Sequence, residues 1–433
     1  MTAQVLSSQN QETQILITVQ HGDSMLDFET NLQGSLNQAG MIGVEKQLEY
    51  MDTDGSPIKV GGIQMTSKHK KEPKVYETSW GAIKVSRYVY QTSKGGETFC
   101  PLDQNARIIV NSTPAFARMV SWKYAQMAAP QVEEDLRQHH GRNSSRSTLR
   151  DLADVVASIA QAKEEKWTYD IPELPRPVKT VAIGLDGANL LYYEGYRIAM
   201  CGTISLYDDE GERLHTLYCA EAPEYGKQSF INRFTGEIRK IKDKFPDAVY
   251  VGVADGAADN WTFLEPFTSV QVLDFYHVSE YVADAAEALY PGKKNRQEKH
   301  AWLKQKLHDL KHEEGAAKKL RRELDQASPG NNRIASLDKL VKARTYFKNH
   351  WHQMIYPEAR ERNLPIGSGV TEAACKSLVK QRMCRSGMRW KEQGASMLLT
   401  LRALVCTFGQ WDTFWSKMNR FGFPIVHNLF SVH

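Results

Sequence analysis

The chain has 433 residues, 41% of them hydrophobic and 24% charged, with a formal net charge of +4. That length allows two or three domains with real cores, and the composition is ordinary for a globular protein. So mild a charge excludes any argument for a polyanion partner from bulk charge alone; local clustering has to supply it.

The N-terminal stretch 1–22, "MTAQVLSSQNQETQ" and onward, is rich in Gln and Ser and predicts loose structure. It lacks the apolar core of a secretion signal. Next, "MLDFETNLQGSLNQAGMIGVEKQLEYM" spaces Leu26, Phe28, Leu32 and Leu36 for one or two helices. "KVYETSWGAIKVSRYVYQ" alternates around Gly81 and predicts a β-hairpin. "PAFARMVSWKYAQM" and "PQVEEDLRQHH" each open with proline in a first helical turn, and "GRNSSRSTLRDLADVVASIA" supplies a turn, a serine cap and a third helix. Three such helices match a helix-turn-helix unit, with Arg146, Ser147, Thr148 and Arg150 opening the recognition helix to meet DNA. A helical bundle used only for packing fits the same pattern.

The proline-rich stretch "KWTYDIPELPRPVKT", 166–180, predicts a linker. Beyond it the pattern reads strand, a strand pair around "DDEGER", helix "KQSFINRFTGEIRKIKDKF", strand, short helix, strand. A hairpin followed by crossovers predicts an α/β domain with a mixed sheet. From His277 to about Pro357 the chain reads as charged helices, with Trp302, Leu303, Leu307, Leu310, Leu320 and Leu324 as buried stripes. The basic run within those helices suits a solvated face as well as a nucleic-acid contact.

Six scattered cysteines form no Cys-x-x-Cys pair, which excludes a zinc ribbon and points to reduced thiols in a cytoplasmic protein. No apolar run approaches the roughly 20 residues that cross a bilayer, so no membrane role is expected.

Two Asp-Gly pairs, Asp186 in "VAIGLDG" and Asp255 in "VYVGVADG", close apolar strands. Either could be a plain turn. Together they lie where open α/β sheets place ligands, at the carboxyl ends of strands. A third acid, Glu372, follows the loop Gly367-Ser368-Gly369 and opens a helix that continues with Lys376, Lys380, Arg382, Arg385 and Arg389 and no second acid. Three converging carboxylates need counter-charge. Hard cations, two Mg²⁺ or Mn²⁺, supply it and carry out in-line displacement at phosphorus. The basic residues after Glu372 would then neutralise the polyanion brought to it. Lys376 and Lys380, at helical spacing from Glu372, are expected on its face. Trp390 could hold a flipped base or simply pack.

The set "GLDG … VADGAADNW … VLDFYH … GSGVTEAACKSLVKQRM" resembles the DDE transposases of bacterial insertion sequences, and specifically the ISKra4 family related to Mutator-type enzymes. "PIGSGVTEAACKSLVKQRMCRSGMRW" is its most specific part, and 180–405 is the stretch it covers best. The resemblance implies an RNase H-like core in which Asp186, Asp255 and Glu372 are the catalytic, metal-holding acids. It also implies a helical insertion between the last two acids. "DFYH", with Asp274 and His277, matches the Asp/Cys-x-x-His signature that places the histidine near the scissile phosphate, although a structural histidine fits that position too.

Other members often carry a cysteine-rich zinc segment before "FCPLD"; only Cys100 remains here, so the hairpin is expected to stand without zinc. The layout expected on these grounds is an N-terminal region with helices and hairpin (1–110), a helix-turn-helix (111–165), the linker (166–180), the first part of the core (181–276), a helical insertion (277–360), and the rest of the core with C-terminal helices (361–433). The activity implied is cutting and joining DNA at terminal inverted repeats and target sites, as a homodimer or larger assembly in the bacterial cytoplasm at the nucleoid. An RNase H-like nuclease, a transposase-derived DNA-binding protein without strand transfer, and a glycoside hydrolase using paired carboxylates are the competing readings.

Overall fold

The computed structural model describes residues 2–9, 11–67, 70–163, 167–222, 228–331 and 333–422. Lys166, which opens the expected linker, Lys227, which opens the expected helix after the strand pair, and the end of the expected 361–433 segment lie outside these residues. The chain forms two compact units, 1–170 with 410–433, and 171–409. The division falls inside the proline-rich stretch, and residues 410–422 group with the first unit.

In the first unit β1 (Ala3–Gln9) and β2 (Glu12–Ile17) pair antiparallel, from Ala3↔Ile17 to Gln9↔Glu12. This corrects the expectation of loose structure: both strands are largely exposed, so glutamine and serine occupy positions that a buried strand would fill with apolar residues. Helix α1 (Met25–Met51) is one continuous helix capped by the Ser24 side chain. Short strands β3 (Ile58–Val60) and β4 (Ile63–Ser67) precede the expected hairpin, β5 (Glu72–Glu77) with β6 (Ala82–Arg87), and β4 also pairs with β7 (Tyr90–Gln91). Thr78 holds the hairpin turn, its hydroxyl donating to Gly81 O and accepting from Gly81 N. A side chain at Gly81 would strike Met41, so α1 lies close over the turn. Leu48, Tyr76, Ile83, Val85, Leu102 and Ile108 pack at this junction, the last two from and just beyond α2 (Pro101–Asn105).

Helices α3 (Pro114–Gln126), α4 (Ala129–His140) and α5 (Arg146–Lys163) follow, with proline opening the first two as the sequence predicts. Left-handed Gly141 ends α4, and Ser145 opens α5 by accepting the Thr148 N–H at 3.2 Å.

The second unit is α/β with a mixed sheet, as expected. Its strands are β8 (Thr180–Tyr192), β9 (Gly195–Tyr207), β10 (Arg213–Glu221), β11 (Val249–Ala254) and β12 (Val270–Leu273), in the order β10-β9-β8-β11-β12. The first three pair antiparallel; β8, β11 and β12 run parallel. Helix α6 (Gln228–Lys244) covers one face through Phe230, Phe234 and Ile238. Helix α7 (Ala258–Leu264) joins β11 to β12.

After β12 the chain is helical: α8 (Phe275–Leu289), α9 (Arg296–His312), α10 (Ala316–Gln326), α11 (Ile334–His350) and α12 (Tyr356–Glu361). Of the expected stripe, Leu310, Leu320 and Leu324 are buried, while Trp302, Leu303 and Leu307 are partly so. The chain then returns through α13 (Gly369–Ala374), a π-helical turn (Cys375–Lys380), α14 (Gln381–Met383) and α15 (Glu392–Cys406). The last helix, α16 (Gln410–Phe421), packs in the first unit, with Phe414 edge-on to Trp167 at 5.8 Å.

Candidate active site

Strand register runs toward three aspartates. The parallel pairing of β11 with β8 runs from Val249↔Thr180 to Gly252↔Ile183, and continuing it brings Asp255 opposite Asp186. The pairing of β11 with β12 ends at Ala254↔Leu273, so the next pair is Asp255 and Asp274. Asp274 N donates to Ala254 O at 2.9 Å, the closing bond of that pairing. Asp255 and Asp274 directly follow their strands, as expected for a site at carboxyl ends. Asp186 does not: β8 continues to Tyr192 on its pairing with β9, and Asp186 sits mid-strand, beyond Ile183, the last residue paired with β11.

Each acid is held by its surroundings. Asp186 accepts the Gly187 N–H at 2.6 Å and the Cys375 thiol at 3.6 Å. Asp255 accepts Ala257 N at 3.1 Å and the Asn260 amide at 3.2 Å; the same amide reaches Leu185 O, next to Asp186, at 3.4 Å. Asn260 therefore links the second acid to the strand bearing the first. Tyr346 donates its hydroxyl to Asp255 O at 2.9 Å. Burial first, then Tyr281 and the charges of Asp255 and Asp274, push the Tyr346 phenol up, so it remains a donor. Burial lowers His350, which lies close to Gly256, and keeps its ring neutral.

Asp274 is fully buried and caps α8 through Tyr276 N at 2.9 Å. The Ser368 hydroxyl lies 2.7 Å from Asp274 Oδ2 and 2.8 Å from Glu372 Oε1. One hydroxyl hydrogen cannot serve both oxygens, so this pair of carboxylates is short of donors, a deficit that a cation meets. His277 Nε2 stands 3.9 Å from Asp274 Oδ2. Among the described residues, Asp274, His277 and Glu372 form a group whose ligand atoms lie within 4.8 Å of one another, a spacing that could hold a metal ion. The expected triad differs: Asp186 and Asp255 fall outside this group, because their oxygens turn to Cys375, Gly187, Asn260 and Ala257.

Helix α13 spans the two halves of the site. Glu372 sits in its first turn beside Asp274, and Cys375, at its C-terminal end, touches Asp186. Thr371 fixes the helix on the sheet with a 2.7 Å contact to Thr203, and a side chain at Gly184 would strike Thr371. Contact with Cys375, then burial, then the Asp186 charge raise the Cys201 thiol, so it stays protonated.

The basic residues after Glu372 divide. Lys376, Lys380, Arg385 and Arg389 are exposed. The π turn closes i→i+5 bonds, so α-helical spacing no longer sets which lysines face with Glu372. Arg382 is a correction: it is 2% exposed and lies over the Trp390 ring at 5.8 Å, so it braces the core and cannot meet a phosphate. Trp390 is half-buried and spends its indole N–H on Met383 O at 2.9 Å. In the first unit Arg146 pairs with Glu133 at 2.5 Å and Arg150 with Asp151 at 3.0 Å, both exposed; Ser147 and Thr148 share the Ser145 hydroxyl at 2.9 Å.

Sequence reasoning missed Asn260 and Ser368, and it placed Asp274 only as part of a signature. Asn260 follows Asp255 by five positions in "VADGAADN" and Ser368 lies inside the Gly-Ser-Gly loop, so proximity to an expected acid was the available signal. No family model matches the chain, and no curated protein matches it. No described helix is long and apolar enough to cross a membrane.

Proposed function

We propose that the second unit is a divalent-metal-dependent enzyme of phosphoryl transfer on nucleic acid, with an RNase H-like core. Three antiparallel strands followed by two parallel ones, in the order β10-β9-β8-β11-β12, support that core. So do an acid inside the first strand, a second after the fourth, and a third on a helix reached after a helical insertion. More particularly, the motifs resembling ISKra4-family enzymes support a DDE transposase of a bacterial insertion sequence. The observation that carries the reading is that Ser368 joins Asp274 to Glu372 while Asn260 ties Asp255 to the strand bearing Asp186.

Asp186, Asp255 and Glu372 would hold two Mg²⁺ or Mn²⁺ ions, with Asp274 and His277 beside Glu372. The cations would supply activation of the attacking oxygen and neutralisation of the leaving one. Asn260 and Ser368 keep the carboxylates aimed, and Lys376, Lys380, Arg385 and Arg389 neutralise the phosphates around the scissile bond. Helices α3 to α5 would recognise terminal inverted repeats through Arg146, Ser147, Thr148 and Arg150, on a homodimer or larger assembly that gathers two ends at the nucleoid.

The test is incubation of the full chain with a labelled terminal-repeat duplex, target DNA and Mg²⁺ or Mn²⁺. Joined product supports a transposase. Cleavage without joining supports an RNase H-like nuclease, and binding without cleavage supports a transposase-derived DNA-binding protein.

A further inference from the structure

Past Asp186 the β8–β9 pairing continues without β11, through six more pairs from Gly187↔Met200 to Tyr192↔Gly195. This part of the sheet is a two-stranded ribbon closed by Tyr193 and Glu194. Ala188, Leu190 and Tyr192, on the face of Asp186, are buried. The other face is open: Gly187 and Asn189 are exposed, Ile198 is 48% exposed and Tyr196 is 73% exposed, while Tyr193 at the tip is 63% exposed. The segment around Trp390 runs along this ribbon, with Trp390 N donating to Leu191 O at 3.1 Å and Tyr193 N to Trp390 O at 3.3 Å. That brings exposed Arg389 and Lys391 next to the Tyr193 end of the ribbon. The nearby acids Glu194 and Glu392 share Arg197, so with Arg389 and Lys391 these five groups sum to a net charge of +1 beside an aromatic surface.

We propose that this ribbon is a stacking platform for unpaired nucleobases, with Tyr193 and Tyr196 as the rings and Arg389 and Lys391 as phosphate contacts. Exposed aromatic faces flanked by cations are the combination that binds single strands without sequence preference. The ribbon grows out of the strand that bears Asp186, with the platform on the face opposite that acid. The inference rests on the nucleic-acid reading of the site but not on cleavage or joining.

The test is anisotropy of a labelled single-stranded oligonucleotide and of a matched blunt duplex on the full chain, in chelator so that no cutting occurs. The Tyr193→Ala, Tyr196→Ala double variant is expected to bind the single strand about tenfold more weakly and the duplex almost unchanged. The corresponding double phenylalanine variant keeps the rings and should bind as the parent does. Equal affinity of the alanine variant and parent for the single strand overturns the platform, as does an equal loss on both substrates. A changed oligomeric state with unchanged oligonucleotide binding assigns the surface to a second copy and also overturns it. If the parent cuts no DNA yet the single-strand loss appears, the platform stands and the transposase reading falls.

Discussion

The carboxylates of the second unit and the polar residues opening α5 are both clusters of charge, built in opposite ways. At α5 the partners are close in sequence and satisfy one another: Arg146 with Glu133, Arg150 with Asp151, Ser145 with Thr148. In the second unit the acids come from distant segments: Asp186 within β8, Asp255 and Asp274 just after β11 and β12, and Glu372 on α13. There the donors run short, with one serine hydroxyl between two carboxylates. A self-satisfied surface costs little to keep. A donor-poor cluster of acids is held by the fold around it, and that is where chemistry is expected.

The contrast can be broken by substitution. Asp186→Asn or Asp255→Asn should abolish cleavage while leaving terminal-repeat binding nearly intact, a loss beyond the roughly 10–100-fold typical of groups that only support metal ligands. Gel-based cleavage and mobility shifts read the two effects separately, and loss of both would end the division of roles. Asn260→Ala and Ser368→Ala should each cost about 10–100-fold in cleavage rate with binding retained, because they aim carboxylates without meeting substrate. Unchanged rates would reduce both to packing residues.

Gly184→Ala presses a methyl group into Thr371 and should lift α13 from the sheet. The expected cost is about 1–3 kcal/mol of stability by denaturant unfolding, with cleavage reduced as well. Arg146→Ala should weaken DNA binding evenly across sequences and lower the salt slope by about one, measured from affinity against salt concentration.

The first unit offers a control in Asp154 on α5, whose carboxyl burial pushes up to about 6. A folded-state value above the unfolded one means that the protonated form favours folding. That contribution is present at low pH and is lost as pH rises through about 6. Asp154→Asn should therefore stabilise the chain near neutral pH by about 1 kcal/mol, with the gain vanishing under acid conditions. Thermal unfolding at two pH values checks the sign.

Much of this contrast was legible in the sequence. Proline at the openings of α3 and α4, the alternation around Gly81 and the mixed sheet all followed from local pattern, as did Glu372 in a first helical turn. Three features did not. Asp186 in mid-strand depends on the long pairing of β9, which an Asp-Gly pair conceals by looking like a turn. The π turn after Cys375 changes which side chains share a face, and spacing alone cannot announce it. Arg382 sits among exposed cations in sequence and is buried in space, because its guanidinium finds the Trp390 ring. Each depends on tertiary partners that a local window does not contain.

The central claim is that Asp186, Asp255 and Glu372, with Asp274 beside them, act as one cation site. Calorimetric titration of Mn²⁺ into the full chain and into Asp186→Asn, Glu372→Gln and the double variant tests it most directly. The account predicts saturable binding that each single change weakens, with the double variant losing clearly less than the sum of the two. Strictly additive losses, or binding indifferent to both changes, would contradict it.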